Sequence, residues 1–442
     1  MRVLVQLRSS PAANEAATAV RPAARITSAL EQVSQLSMDA KYPVVHVPGV
    51  KTATGAAMTS LAQPLRFSFD VADSTYLVRG SIPDGPAQAN ALAEATAHPD
   101  VVGVFSDPLI ESTLVCPGDP PVGNEAKVGT LLGKPKLTAS NLDGHGVLVA
   151  VVDTGVNLPY LKSKGRRPKL DTSRSWVPAG VSTTPGQHPV NHGTMCAYDV
   201  GIVAPKAILL DYAVLLSTTP GATTMAGLLS DAVLAYARLR QILTGMPTAR
   251  RAMVVSNSWG MFSPAWDFPP GHPGNYSDNP NHPFNLIVAS LESAGADILF
   301  AAGNCGRDCP DGRCAFGTAP PICGANSHPA VLSVAGVDVN KNRVGYSSQG
   351  PGRLTSKKPD FASYTHFVGS GVYAADGGTS AACPVAAGVV AAIRTRHKAS
   401  RVTPAQLRSL IQRTTQDHGQ TGYDFDYGWG ILDGAALKRA VP

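Results

Sequence analysis

The chain contains 442 residues, of which 44% are hydrophobic and 15% are charged. This composition excludes a disordered protein, because disordered chains are rich in charge and poor in apolar residues. The net charge of +6 is small for this length. The one dense basic run, residues 162–169, lacks the interleaved aromatic side chains that stack on bases, which favours a solvated loop over a nucleic-acid or membrane patch. We expect neither a nucleic acid nor a membrane as a partner.

No apolar run reaches the about 18 residues that a membrane-spanning helix needs. The first eight residues, Met1 to Arg8, contain no long apolar stretch and no small-residue cleavage site, so they do not form a secretory signal. We therefore expect a protein that acts inside the cell, or one from which a signal has been removed. The compartment stays open at this point.

Residues 1–112 are predicted to form a small α/β domain. The order strand, helix, strand, strand, helix, strand is the ferredoxin-like pattern, and residues 37–64 interrupt it as an insertion with one short strand at Val44–Val47. Pro22 must kink or split the first helix. The predicted elements are the strand Arg2–Arg8, the helix Ala12–Leu36, the strands Arg66–Asp70 and Ser74–Ile82, the helix Gln88–Ala97 and the strand Val101–Phe105.

Residues 113–124 are predicted to be a linker, because Cys116 to Pro121 is a Pro/Gly-rich cluster. Such an exposed junction is also a plausible site of proteolytic processing.

Residues 125–442 have the pattern of a larger α/β domain. Nearly continuous apolar strands that alternate with helices, such as Thr223–Leu243, indicate a parallel sheet covered by helices on both faces. In such folds the chemistry lies beyond the carboxyl ends of the strands. The predicted strands are Val147–Val152, Ala207–Leu210, Ala252–Val255, Ile298–Ala302 and Ala330–Val334.

Three short segments carry the candidate chemistry. Asp153 follows an apolar strand and precedes a glycine turn, His192 stands beside Gly193 at a predicted helix start, and Ser380 follows two glycines at another. Each alone has a structural explanation: Asp153 as a cap, His192 as a surface or core histidine, Ser380 as a helix cap. Together, in the order Asp, His, Ser, they fit a nucleophilic triad. A serine hydroxyl needs a base within hydrogen-bond reach, and that base needs a group that orients it.

A fourth segment adds a candidate oxyanion donor. Asn304 ends the apolar run Phe300–Asn304, and its carboxamide can donate to the oxygen of a tetrahedral intermediate. The backbone N–H of Ser380, at the start of a helix, would be the second donor.

At these residues the chain resembles the subtilisin-like serine peptidases, or subtilases. Any one of the matching segments is weak evidence, but six in family order over about residues 125–437 are specific. The segments surround Asp153, His192 and Ser380 and include Gly201–Ala207, Val254–Gly260 and Ala301–Asn304.

The resemblance implies a substrate-binding region. Ser256 to Gly260 would form the edge strand that pairs with an extended substrate, and Ser258, Trp259, Gly260, Ala302 and Gly303 would wall the pocket for the residue before the scissile bond. It also implies that residues 1–112 are a pro-region, which assists folding and then inhibits by laying its tail in the active site. The chemistry would need no cofactor. The resemblance also allows a structural calcium ion, for which candidate oxygen ligands lie between Asp267 and Asp278.

The chain departs from the family pattern around two of these segments. Ala381 stands where the family usually has Met, and Met195-Cys196 follows the His192 segment. A buried Cys196 on the same helix face as His192 is expected. Cys305, Cys309, Cys314 and Cys323 form a cluster for which two disulfides are the leading interpretation, with zinc and free thiols as alternatives. Disulfides would imply an oxidising or extracellular setting.

The leading functional interpretation is a serine endopeptidase made as a self-processing zymogen. A processing enzyme with one dedicated substrate is an alternative, since the insertions permit it. A non-catalytic peptide-binding pseudoenzyme is the alternative from another class, although all four catalytic positions are filled.

Overall fold

A computed structural model describes residues 1–19, 21–22, 35–51, 65–112, 120–216 and 225–442. These residues form two units, which are described separately. The first contains Met1–Leu109, Leu228–Leu239 and Pro264–Leu291. The second contains Ile110–Gly227, Arg240–Ser263 and Glu292–Pro442.

The first unit begins with an antiparallel sheet built from the N-terminal residues. Its central strand is β1, which is apolar and buried from Val3 to Val5. The elements in chain order are β1 (Arg2–Leu7), α1 (Pro11–Thr18), β2 (Ser37–Met38), β3 (Val45–Val47), β4 (Gly49–Val50), β5 (Phe67–Ser68), β6 (Thr75–Ser81), α2 (Ala87–Ala97) and β7 (Val101–Ser106).

The strand order of this sheet is the one that the ferredoxin-like prediction requires. Strand β1 lies between β6 and β7 and is antiparallel to both, and β3 pairs with the other edge of β6. One assignment was wrong: the predicted strand Arg66–Asp70 reduces to β5, which pairs with β4 in a separate two-stranded sheet. Strand β3 takes the place beside β6 because Val45 and Val47 are both buried, whereas Phe69 is 46% exposed.

The first helix is shorter than predicted. Helix α1 is capped by Ser10, whose Oγ accepts a hydrogen bond from the N–H of Ala13 at 3.1 Å, and it ends at Thr18. Pro22 lies in an isolated bridge with Pro43 instead of a helix, as expected for a residue without an N–H. Residues 23–34 of the predicted helix lie outside the described residues.

The remaining strands and helices follow along the chain. They are β8 (Leu109–Ser112), α3 (Glu125–Leu131), α4 (Lys134–Thr138), β9 (Leu148–Val152), α5 (Leu158–Ser163), β10 (Lys169–Leu170), α6 (His192–Val203), β11 (Ile208–Tyr212), β12 (Ala226–Leu228), α7 (Leu229–Thr244), β13 (Met253–Asn257), β14 (Trp259–Gly260), α8 (Pro283–Ser293), β15 (Ala296–Ala301), β16 (Leu332–Val337), β17 (Phe361–Tyr364), α9 (Gly378–Arg394), α10 (Pro404–Thr414) and α11 (Gly434–Ala440).

The second unit is built on the predicted parallel sheet. Its order is β10-β11-β9-β13-β15-β16-β17, and its strands pair in parallel. The five predicted strands are confirmed with small shifts of their ends. The two edge strands were missed because β10 has only two residues and β17 only four. The predicted helix Thr223–Leu243 starts later, at Leu229, since Ala226–Leu228 is a strand.

Helix α9 is the centre of the hydrophobic core in this unit. Every residue of α9 is buried, and it packs against α6 and the sheet. Gly388 permits the close approach of the two helices, because a Cβ atom there would lie 2.6 Å from the carbonyl oxygen of Val200. In the described part of the chain, no helix combines the length and the apolar character that a membrane crossing requires.

Candidate active site

The structure brings Asp153 and His192 into direct contact. Nδ1 of His192 lies 2.9 Å from Oδ1 and 3.0 Å from Oδ2 of Asp153, and both side chains are buried. The carboxylate also accepts a hydrogen bond from the N–H of Thr154 at 2.7 Å. Nε2 of His192 is buried and has no hydrogen-bond partner among the described residues. A histidine held in this way presents Nε2 as a proton acceptor.

Local sequence explains how these two residues meet. Asp153 follows β9, and the chain then turns at Gly155, whose φ of +91° is a conformation that favours glycine. His192 is the first residue of α6, after the N-cap residue Asn191. Gly193 lets the helix approach the turn, since a Cβ atom there would lie 2.6 Å from the carbonyl oxygen of Gly155.

Cys196 lies beneath the histidine, one helical turn further along α6. Its Sγ is 3.6 Å from Oδ2 of Asp153, 3.8 Å from Nδ1 of His192 and 3.5 Å from the carbonyl oxygen of Ser380. Burial and the neighbouring Asp153 carboxylate hold the pKa of the Cys196 thiol well above its usual range. The residue is therefore a neutral, buried thiol that fills the space behind the imidazole, as the sequence predicted.

Ser380 lies in the first turn of α9, on the side of the sheet that α6 also covers. Helix α9 begins at Gly378, which has a φ of +74°. The carbonyl oxygen of Ser380 accepts a hydrogen bond from Oγ of Ser258 at 3.0 Å. The position of Ser380 at a helix N-terminus directs backbone N–H groups and partial positive charge toward any oxyanion that forms there.

Asn304 is completely buried, and its orientation is set by Thr379. Oδ1 of Asn304 accepts hydrogen bonds from the backbone N–H of Thr379 at 2.9 Å and from its hydroxyl at 3.0 Å. The same hydroxyl accepts from the N–H of Gly303 at 3.0 Å. These bonds identify Oδ1 as the acceptor end of the carboxamide, so the NH2 group is its donor end. This role of Thr379 was not predicted from the sequence, although the residue directly precedes Ser380.

The predicted substrate edge is shorter than expected. Trp259 and Gly260 form the short strand β14, which pairs antiparallel with Ser112 and Glu111 of β8. The interpretation of Ser256 as an edge residue was wrong, because β13 lies between β9 and β15. Oγ of Ser256 faces Sγ of Cys383 at 3.8 Å. A strand in the middle of a sheet has no free backbone groups for a substrate.

A narrow cavity lies beside β14. It is lined by three residues that were predicted to line a pocket, Gly260, Ala302 and Gly303, and also by Cys323 and Asn326. The free volume is about 10 Å³, which is room for about one water molecule. The NH2 group of Asn326 donates to the carbonyl oxygens of Trp259 and Ala301 at 2.9 Å each and so holds the two walls together.

Arg313 binds the segment that pairs with β14. Its guanidinium lies 2.5 Å from Oε2 of Glu111 and donates to the carbonyl oxygen of Ser112 at 2.6 Å. Asp311 holds the same guanidinium at 2.8 Å. Arg313 could not be predicted from the sequence, since nothing local distinguishes it from other arginines in loops.

The cysteine cluster differs in part from the expected two disulfides. Cys305 and Cys314 are bonded to each other, and Cys309 also takes part in a disulfide. Cys323 is instead a buried thiol, and it lines the narrow cavity beside β14.

The segment with candidate calcium ligands, Asp267 to Asp278, belongs to the first unit. Both carboxylate oxygens of Asp267 are bound by protein donors, among them Oγ of Ser106 at 2.6 Å and Oγ of Ser277 at 2.6 Å. The backbone N–H groups of Phe268, Tyr276 and Ser277 also donate to it. A carboxylate surrounded by N–H and O–H donors fits a structural hydrogen-bond acceptor and does not fit a calcium ligand.

The chain is similar in sequence to a known family and to several known proteins. The model of the subtilase family, Peptidase_S8, matches residues 144–430. The chain is 28% identical to M-protease of Shouchella clausii (strain KSM-K16) over 311 residues, which cover 67% of this chain and 66% of that protein. It is 26% identical to subtilisin E of Bacillus subtilis (strain 168) over 316 residues, or 69% of each chain. It is 28% identical to subtilisin Savinase of Lederbergia lenta over 311 residues, or 93% of that protein.

Proposed function

Because the chain belongs to the subtilase family, we propose that it is a serine endopeptidase that hydrolyses peptide bonds through an acyl-enzyme. The observation that carries the proposal is the buried Asp153–His192 contact at 2.9 Å, which leaves Nε2 of His192 without a partner among the described residues. Ser380 would be the nucleophile, His192 the general acid and base, and Asp153 the group that orients the imidazole.

In the proposed reaction, Nε2 of His192 accepts the hydroxyl proton of Ser380 as Oγ attacks the substrate carbonyl carbon. The resulting oxyanion receives hydrogen bonds from Asn304 and from the backbone N–H of Ser380. His192 then donates its proton to the leaving amine, and the peptide bond breaks. A water molecule repeats the sequence on the ester, which releases the acid and restores Ser380.

Residues 1–112 are proposed to be a pro-region, residues 113–124 the processing region and residues 125–442 the catalytic domain. Two sets of contacts support this proposal. In the second unit, Glu111 and Ser112 occupy the edge of β14, where a substrate strand would pair. In the first unit, Oδ1 of Asp107 accepts a hydrogen bond from the N–H of Ser230 at 2.7 Å and so caps α7.

The substrate would be a protein or peptide with a small side chain before the scissile bond. The narrow cavity beside β14 supports this preference, because Cys323 and Asn326 leave room for about one water molecule there. The variant Cys323→Gly should widen the cavity and shift cleavage of a random peptide library toward larger residues. An unchanged cleavage pattern would contradict this assignment of the pocket. The Cys305–Cys314 disulfide supports an oxidising compartment.

The test is the intact mass of the full chain and of Ser380→Ala, each with and without an organophosphonate serine reagent. We expect the wild-type protein to gain one adduct or to split between residues 108 and 121, and Ser380→Ala to do neither. If wild type and variant both stay full-length and unlabelled, the proposal of an assembled triad fails and the peptide-binding pseudoenzyme becomes the better account.

A further inference from the structure

Two buried carboxyl groups face each other behind the candidate active site. Asp199 lies on α6, seven residues after His192, and Asp376 lies four residues before Ser380. Both are completely buried, and the two carboxyl groups are close enough to affect each other's protonation. Neither oxygen of Asp199 has a hydrogen-bond donor among the described residues. A buried carboxylate without a donor is strongly disfavoured, and one proton between two neighbouring carboxyl groups removes the second negative charge. We therefore infer that the pair shares one proton.

The proton belongs on Asp199. The Asp376 carboxylate already accepts two hydrogen bonds from Ser370, one from its N–H and one from its hydroxyl, both at 2.5 Å. These donors stabilise the charged form of Asp376. Neither oxygen of Asp199 accepts a hydrogen bond from another described residue. Asp199 is thus the neutral partner that donates to Asp376.

The charged and titratable groups around the pair agree with this assignment. Arg166 faces Asp199 from the loop after α5, but Glu125 of α3 binds the Arg166 guanidinium and compensates its charge. Burial raises the pKa of Asp199 well above its usual range, and the Asp376 charge raises it further. The other titratable neighbours of the pair are Cys196, Tyr198 and Tyr373. Burial raises the pKa of each of them, so they stay neutral and bring no positive charge to the pair.

The pair connects the two segments that carry the reacting groups. Asp376 belongs to the segment 370–376, which runs directly into the first turn of α9. The same segment makes a second contact with α6, because the Tyr373 hydroxyl donates to Oδ1 of Asn191 at 2.9 Å. Asn191 in turn caps the N–H of His192. The segment therefore contacts the N-cap residue of α6, Asn191, and again Asp199, about two helical turns further along.

We propose that Asp199 and Asp376 are positioning residues, whose shared proton holds the nucleophile segment in register with the helix that carries the general base. Loss of this proton at alkaline pH places two buried negative charges side by side, and their repulsion separates Ser380 from His192. The proposal rests on the proposed function of these two residues and deepens it. It predicts an alkaline limit of activity that the triad alone does not supply.

The experiment compares wild type with Asp199→Asn and Asp199→Leu, all as full chains, by the rate of organophosphonate labelling between pH 6 and pH 11. The Asn side chain keeps a donor to Asp376 but has no proton to lose, whereas Leu has neither. Glu292→Gln is the matched control. Glu292 is another carboxyl whose pKa is raised by burial, but its partner is Arg408.

We expect the labelling rate of wild type to fall at least tenfold across one alkaline step, since a misplacement of about 1 Å costs on the order of 10²-fold in rate. Asp199→Asn should label at the wild-type rate at neutral pH and lack this step. Asp199→Leu should be slow at every pH, and Glu292→Gln should follow wild type. An Asp199→Asn profile that superimposes on the wild-type profile overturns the inference.

A second measurement separates this inference from the proposed function. Thermal unfolding of the same variants in a Ser380→Ala background does not depend on activity. Because the native pKa of Asp199 is raised, its contribution to stability is lost as pH rises through that pKa. Asp199→Asn should remove this loss. If wild type takes no label at any pH, the proposed function fails, whereas an equal pH dependence of unfolding with and without the Asp199→Asn substitution overturns the proton-sharing pair alone.

Discussion

The hydroxyl of Thr379 offers a direct test of how Asn304 is held. This hydroxyl donates to Oδ1 of Asn304 and accepts from the N–H of Gly303, both at 3.0 Å and both buried. Thr379→Val keeps the shape of the side chain and removes both hydrogen bonds. Thr379→Ser keeps the hydroxyl and loses only a methyl group, so it is the matched control.

The expected magnitudes follow from the hydrogen bonds that Thr379→Val removes. The buried N–H of Gly303 loses its partner, which costs about 1–3 kcal/mol of stability. Since a domain of about 150–250 residues loses about 2–4 °C in Tm per kcal/mol, the fall per kcal/mol in this larger domain should be at the lower end of that range. Oδ1 of Asn304 still accepts a hydrogen bond from the backbone N–H of Thr379, so the carboxamide is held less firmly but stays in place. The decrease in kcat should therefore be about tenfold, well below the roughly 10²–10³-fold cost of removing a whole oxyanion donor, a figure measured on subtilisin.

The assay is hydrolysis of a chromogenic peptide by the processed enzyme, with kcat and KM determined separately. Asn304 would act on the oxyanion and not on the bound substrate, so KM should stay nearly constant. A kcat for Thr379→Val within twofold of wild type would refute the idea that the hydroxyl orients Asn304. An equal loss in Thr379→Ser would also refute it, because that loss would come from packing.

Three further predictions concern the segment next to β14, the first unit and the core. Arg313→Ala removes its two charge-assisted hydrogen bonds to Glu111 and Ser112, each worth about 1.5–3 kcal/mol. Amide hydrogen exchange of residues 110–112 should therefore accelerate at least tenfold. An unchanged exchange rate would show that pairing with β14 is sufficient to hold this segment. Burial raises the pKa of Asp231 to about 7, so its contribution to stability is complete below about pH 4 and is lost as pH rises through about 7. Asp231→Asn should reduce this loss of stability with rising pH, measured by hydrogen exchange of β1 and β6. The same pH dependence in wild type and variant would contradict a raised pKa of Asp231. Arg394 and Asp297 form a fully buried ion pair at 2.6 Å, so Asp297→Ala should cost about 3–5 kcal/mol in denaturant unfolding, and a cost below about 1 kcal/mol would show that water reaches the arginine.

The parallel sheet and the candidate triad could be predicted from the sequence. The central strands are short apolar runs, and a strand of a parallel sheet is buried on both faces, so its pattern is local and visible. Asp153, His192 and Ser380 each stand at the end of a strand or the start of a helix. Their order along the chain, together with Asn304, indicates the chemistry without knowledge of any distance. The sheet order of the N-terminal residues was also predicted, although one of its strands was assigned to the wrong residues.

Only the tertiary structure decided which of these residues touch and which partners they have. Ser256 and Trp259 belong to one sequence motif, yet one lies inside the sheet and the other at an edge, because pairing depends on strands distant in the chain. Cys323 belongs to the same sequence cluster as Cys305 and Cys314, yet it is a thiol while they form a disulfide. Asp199 and Asp376 are 177 positions apart, and no local pattern links them. A sequence pattern predicts the place of a residue within its own helix or strand. The pairing of buried polar groups is instead determined by the packing of helices and loops that meet only in the folded chain.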